Sequence, residues 1–263
     1  MKIFIAVDME GISGVVLAEQ LSVGTPEYEE ARYLLIGDAN AAAEGAMEGG
    51  AEEVIVADMH SRGFHFPLDR LHPRAKYLMG GGHWPRFPFL EGADAIFMVG
   101  YHALSGTESA IRDHTMSSAD WQDLWVNGHK FGEVGIDAAI AGSCSVPVML
   151  VTGDDKVCSE ARELLGDIET AEVKQAVARH RALILPPVVA QELIHRKARR
   201  AVERIGEVEP LSISGPVEVK LRYASTDLAE RHPFDGERIV RLDGRTVLFK
   251  GRDFMDALRF VLS

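Results

Sequence analysis

"IAVDMEGISG" (residues 5–14) sets an apolar run against two carboxylates and two glycines. The run is short and partly β-branched, which is the pattern of a buried strand. Such strands usually end in turn residues. This one ends in Asp8 and Glu10, which point to the same side of an extended chain, about 7 Å apart at Cα, with Met9 opposite. Paired carboxylates are costly to bury unless something positive lies between them. The stretch therefore reads as one wall of a cation site. Gly11 and Gly14 let the chain turn away without crowding it.

The same pattern recurs downstream. A strand at 53–57 stops at Asp58-Met59-His60, and another at 95–99 stops at Gly100-Tyr101-His102. Strands at 121–126 and 129–131 flank Asn127-Gly128, a strong hairpin signal. A helix then opens at Glu133, and a further strand, 147–152, ends in Gly153-Asp154-Asp155. Thr25 caps a helix over 26–48, with Pro26 in its first turn and Gly49-Gly50 after it. Strands alternating with helices predict an α/β fold with a largely parallel sheet. Ligand groups then gather outside the carboxyl ends of the strands.

After Pro186-Pro187 the pattern changes to a helix over 191–205, strands at 217–223 and 238–248 with an Asp243-Gly244 turn, and a last helix from about Asp253. The expected division is an α/β metal-binding catalytic domain over 1–185 and a smaller α+β domain over 186–263.

Asp8, Glu10, His60, His102 and Glu133 are hard or borderline ligands suited to zinc or a similar divalent ion. They suffice for two ions if Asp8 lies between them. Asp58, two residues before His60 and on the same face, is expected to hold an imidazole or the substrate amine from behind. Asp154 and Asp155 read as caps of a helix starting near Lys156. The remaining histidines at 65, 72, 83, 129, 180, 195 and 232 follow no strand-end pattern. "MGGGH" (79–83) lacks the ending of a phosphate loop and reads as a flexible loop. "HRKARRAVER" (195–204) is basic but carries an apolar stripe, the mark of a solvated helix face. The small residues Ala41, Ala42, Ala43 and Gly45 permit close helix packing, within the chain or between subunits.

Bulk composition narrows the classes. The chain has 263 residues, is 46% hydrophobic and 26% charged, and carries a formal charge of −12. That balance argues against nucleic acid and anionic lipid as partners. No stretch approaches the roughly 20 apolar residues of a membrane span. Residues 3–7 are too short for the core of a signal peptide, so the expected compartment is the cytoplasm. Two cysteines, Cys144 and Cys158, make no disulfide framework.

Together, "VDMEGISG" (7–14), "ADMHS" (57–61), "GYHA" (100–103), "DHTM" (113–116) and "VNGHKFGEVGIDAAIAG" (126–142) resemble the D-aminopeptidase family, peptidase M55. "PVMLVTGDD" (147–155) continues in the same order. The resemblance is densest over 1–155 and thin in the last third. It implies a binuclear zinc site, with Asp8 bridging, Glu10 and His60 completing one ion, and His102 and Glu133 the other. His114 matches the family's catalytic histidine. Members release the amino-terminal D-residue, such as D-Ala, from short peptides and form ten-subunit rings.

Two other functions fit the residues alone. The acidic strand ends could chelate magnesium for phosphoryl transfer, although two histidines are unusual there. A non-catalytic protein that binds metal or peptide is the third.

Overall fold

The structure is a computed structural model that describes residues 1–81 and 85–262. Part of the loop foreseen at 79–83, including His83, lies outside the described residues. In chain order the elements are β1 (Lys2–Val7), α1 (Pro26–Glu48), β2 (Glu53–Asp58), β3 (Lys76–Leu78), β4 (Ala95–Tyr101), β5 (Trp121–Val126), β6 (His129–Phe131), α2 (Glu133–Ser143), β7 (Val148–Asp154) and α3 (Asp155–Leu165). There follow β8 (Glu169–Ala178), β9 (Arg181–Ile184), α4 (Pro187–Glu203), β10 (Val217–Tyr223), α5 (Thr226–Ala229), β11 (Ile239–Arg241), β12 (Thr246–Gly251) and α6 (Phe254–Val261).

One sheet has the order β3-β2-β1-β4-β7-β8-β9. Every pair in it is parallel except β8–β9. β1 is apolar on both faces because both are covered. Ile3, Ile5 and Val7 pack with Leu35 and Ala39 of α1 and with Ile194 and Ala198 of α4. Phe4 and Ala6 join Met98 of β4, Ile140 of α2 and residues of the second sheet. Each such large side chain taken from water contributes about 1.5–3 kcal/mol.

The second sheet, β11-β12-β10-β5-β6, is antiparallel. The hairpin β5–β6 comes from the middle of the chain and its partners from the last fifty residues. The chain after Pro186 therefore serves both sheets. α4 lies against α1 on the first, while β10 and β12 build the second. Among the described residues, no helix is long and apolar enough to cross a membrane.

Local chemistry explains most element ends. Thr25 Oγ1 accepts from Tyr28 N at 3.1 Å, and Pro26 fills the first turn of α1. Pro187 does the same for α4, which starts four residues before the expected 191. The small-residue face of α1 is used inside the chain: a Cβ on Gly45 would lie 2.2 Å from His195 O on α4. Four elements escaped the sequence reading. β3 has only three residues and α5 only four, and the hairpin β8–β9 covers 169–184 with a mixed polar pattern.

The strand order reverses between β1 and β4. β2 and β3 continue on one side of β1, and β7 and β8 on the other side of β4. A crevice opens outside the strand ends at such a point. The two chains leaving it are in backbone contact, with Gly11 N donating to Gly100 O at 2.7 Å. A Cβ on Gly11 would lie 1.9 Å from Tyr101 O, and Gly100 has φ +72. Gly11→Ala is expected to lower stability by about 3 kcal/mol or more, since only backbone could move aside. Urea unfolding checks it, and an unchanged midpoint would contradict this close approach.

Candidate metal centre

The carboxyl ends of β1, β2 and β4 deliver Asp8, Glu10, His60 and His102 to the crevice, and the first turn of α2 adds Glu133. Asp8 sits between two groups. Its Oδ1 lies 3.1 Å from His60 Nδ1, and its Oδ2 lies 3.4 Å from His102 Nε2. His60 Nδ1 is also 3.1 Å from Glu10 Oε2. His102 Nε2 is 3.3 Å from Glu133 Oε1. One atom from each of Asp8, Glu10 and His60 falls within 4.8 Å of the others, and the same holds for His102, His114 and Glu133.

Ligand atoms about 2.0–2.1 Å from a tetrahedral ion stand roughly 3.3 Å apart, so groups 3.1–3.4 Å apart leave room for an ion between them. Glu10 Oε2 and His102 Nε2 are buried without a hydrogen-bond partner. Two buried polar atoms without a hydrogen-bond partner, one beside His60 and one beside Asp8 and Glu133, are what a cation would satisfy. The oxygen and imidazole donors fit zinc.

The electrostatics agree. Burial, then the nearby Glu10, raises the Asp8 carboxyl. Burial also acts against Glu10, but His60 overcomes it and holds Glu10 well below the usual range. Glu133 is held at about 2 against burial by His102. In return, despite burial, the acids raise His102 to about 10 and His60 well above its ordinary value. Three buried carboxylates pull protons onto the imidazoles. The protons supply the positive charge that divalent ions would supply instead.

Ring orientation is set from behind. His102 Nδ1 donates to Ala103 O at 3.1 Å, leaving Nε2 toward the acids. His114 Nδ1 donates to Arg112 O at 2.8 Å, so its Nε2 faces Glu133 Oε1 at 3.5 Å. The two rings stack at 3.9 Å between centroids, 12° from parallel. The family resemblance placed His114 outside the ligand set. Its position beside Glu133 leaves its Nε2 within reach of the second group.

His114 rides on a constrained loop. Arg112 (φ 51) and Met116 (φ 60) flank it in the left-handed region. Arg179 Nη1 donates to Asp113 O at 2.6 Å and also binds the Asp113 carboxylate. Asp154 caps α3 and accepts from Ile111 N at 2.8 Å.

Asp58 holds an imidazole, that of His65. Its Oδ2 accepts from His65 N at 2.6 Å, and both its oxygens lie 3.1 Å from His65 Nδ1. The His65 ring then meets His60 edge-on at 5.0 Å. His65 had no sequence pattern connecting it to the cluster.

Sequence reasoning also missed Arg86, Tyr101 and Asp137. Arg86 pairs through two nitrogens with Asp137, Tyr101 Oη donates to Asp137 Oδ2 at 2.7 Å, and Arg86 Nη2 lies 3.6 Å from Glu133 Oε2. The available signal was Asp137 four residues after Glu133, one turn along an otherwise apolar helix.

Glu160 lies outside the cluster. Burial pushes its carboxyl up to about 7, although Leu104 N donates to Oε2 at 2.8 Å. A carboxyl raised in the fold above its unfolded value of 4.5 removes stability as pH rises between the two values. Glu160→Gln keeps an acceptor for Leu104 N. It is expected to remove a loss of at most about 3 kcal/mol between pH 5 and pH 8. Urea unfolding at both pH values reads it; an identical pH slope in the variant would contradict the assignment.

An α/β sheet with buried acids and imidazoles gathered at its strand ends, on the floor of a cavity of about 1020 Å³, is the architecture of a divalent-metal centre. The D-aminopeptidase family model, peptidase M55, matches residues 1–263, and the chain belongs to that family of hydrolases. The chain is 32% identical over 266 residues to a D-aminopeptidase of Bacillus subtilis strain 168, covering 100% of this chain and 96% of that one. Its structure is similar to that of the zinc-dependent D-aminopeptidase DppA from Bacillus subtilis, described as a self-compartmentalizing protease. The TM-score is 0.93 at 29% identity, covering 100% of this chain and 96% of the other.

Proposed function

We propose that this chain is a zinc-dependent aminopeptidase that binds two ions per subunit and releases an amino-terminal D-residue, such as D-Ala, from short peptides. The observation that carries the reading is Asp8, with one oxygen toward each of two ligand groups on the floor of the cavity. Glu10 and His60 would hold one ion with Asp8, and His102 and Glu133 would hold the other. When bound, the zinc pair supplies an activated water and polarises the scissile carbonyl.

The chain's own groups do the rest. His114 Nε2, bare because Nδ1 is engaged on Arg112 O, accepts a proton as the amide is attacked and returns it to the departing amine. Asp137 and Arg86 brace Glu133 from behind. Asp58 keeps His65 packed against His60. The likeness to a self-compartmentalizing protease supports a closed oligomer, taken as the ten-subunit ring that the family resemblance implies; the sequence reading assigns it to the cytoplasm.

Hydrolysis of D-Ala-D-Ala and L-Ala-L-Ala, measured side by side with zinc and after chelation, tests the reading. Cleavage of the D-dipeptide alone, lost with chelator and regained with zinc, is expected. Cleavage of the L-dipeptide would discard the D preference, and cleavage of neither this pair nor longer D-peptides would sink the aminopeptidase.

A further inference from the structure

Arg112 is a cation without an anion. It lines the same cavity as Asp8, Glu10, His60, His114 and Glu133. Its Nε is enclosed and has no hydrogen-bond partner among the described residues. Arg112 forms no ion pair among the described residues, although the chain carries a charge of −12. The neighbouring Arg86 differs, because Asp137 and Glu133 already face it. Arg62 is exposed to water, which solvates its charge.

A guanidinium partly stripped of water and left unpaired is costly, and an arriving carboxylate removes that cost. The main chain that carries the guanidinium is held in place: Arg112 N donates to Arg179 O at 3.2 Å, and Arg112 O receives the His114 ring.

The substrate itself brings one source of carboxylate to this cavity. Arg112 stands two residues from His114, whose Nε2 faces the reacting centre. In a dipeptide the terminal carboxylate lies one residue, about 3.8 Å of chain, beyond the residue released. Each further residue carries it another ~3.8 Å away. We propose that Arg112 is a specificity-determining residue that binds the C-terminal carboxylate of a dipeptide substrate, so that dipeptides are favoured over longer or amidated ones. This rests on the aminopeptidase reading above.

The experiment compares D-Ala-D-Ala with its C-terminal amide, which has the same shape without the charge. The wild-type enzyme is expected to favour the acid by roughly tenfold to a hundredfold in kcat/KM, carried by KM, as for one hydrogen-bonded charge. Arg112→Gln is expected to erase the preference, its kcat/KM for the acid falling to that for the amide. Arg112→Lys restores part of it. Calorimetry of D-Ala-D-Ala on the zinc-loaded H114A protein gives a second readout, with binding weakened at least tenfold when Arg112→Gln is added. An acid preference that persists in Arg112→Gln overturns the proposal. Equal hydrolysis of acid and amide by the wild type overturns it and leaves the aminopeptidase standing, whereas hydrolysis of neither overturns both. D-Glu-D-Ala amide separates the two sources of carboxylate. If Arg112→Gln impairs only that substrate, the anion is a side chain and the C-terminal assignment is wrong.

Discussion

His114→Ala is expected to lose at least about a thousandfold in kcat, some 4 kcal/mol of barrier, while two zinc ions stay bound per chain. The expectation follows from how the ring is held. Its Nδ1 is engaged on the Arg112 carbonyl, and the loop is fixed by Arg179, so Nε2 is presented without freedom to turn. A group oriented so tightly is suited to a single proton-transfer task. The geometry also favours a rival role. Nε2 stands 3.5 Å from Glu133 Oε1, the spacing of two ligands on one ion, and the ring stacks on His102. If His114 is a ligand, removing it lowers the zinc content from two toward one and weakens chelator resistance. Elemental analysis after dialysis, run beside single-turnover kinetics, separates the roles. Zinc lost in proportion to activity would retire His114 as the proton carrier.

Asp8→Asn is expected to abolish activity and to cost the chain one or both zinc ions, because each oxygen of Asp8 faces a different group. Its effect on the metal-free protein has the opposite sign. Burial raises the Asp8 carboxyl above its ordinary 3.8, so the folded chain resists its ionisation and loses stability as pH climbs through that raised value. At pH 7.5 asparagine removes this loss, and the metal-free variant is expected to melt no lower than metal-free wild type. Zinc then reverses the order. At a thousand times the dissociation constant it adds about 4 kcal/mol to the wild type and much less to the variant. Melting curves of both proteins with and without zinc measure all four states. A variant stabilised by zinc as strongly as the wild type would refute the place given to Asp8.

The five groups readable from sequence share a property. Asp8, Glu10, His60 and His102 each follow a short apolar strand, and Glu133 opens a helix, so local pattern alone puts them at one edge. What stayed hidden was long-range. Arg86 meets Asp137 across fifty-one residues, and Arg179 reaches Asp113 across sixty-six. Nothing near either arginine announces its partner. His65 was illegible for a different reason: it sits in a loop whose path is set by Asp58, not by a period of its own. The strands of the second sheet were visible as strands, but not the pairing of β5 with β10. That pairing joins residues 121–126 to 219–223, and alternation in either segment is silent about it.

That pairing makes the order of synthesis matter. Asp8, Glu10 and His60 all hang from strands among the first sixty residues, and His102 follows β4. Glu133 is carried two residues beyond the β5–β6 hairpin, whose sheet is completed only by β10, β11 and β12. A nascent chain therefore owns every ligand long before it can fix the last of them. A chain cut short before residue 217 would keep the strands that carry four of the five proposed ligands and lack most of the sheet that positions Glu133.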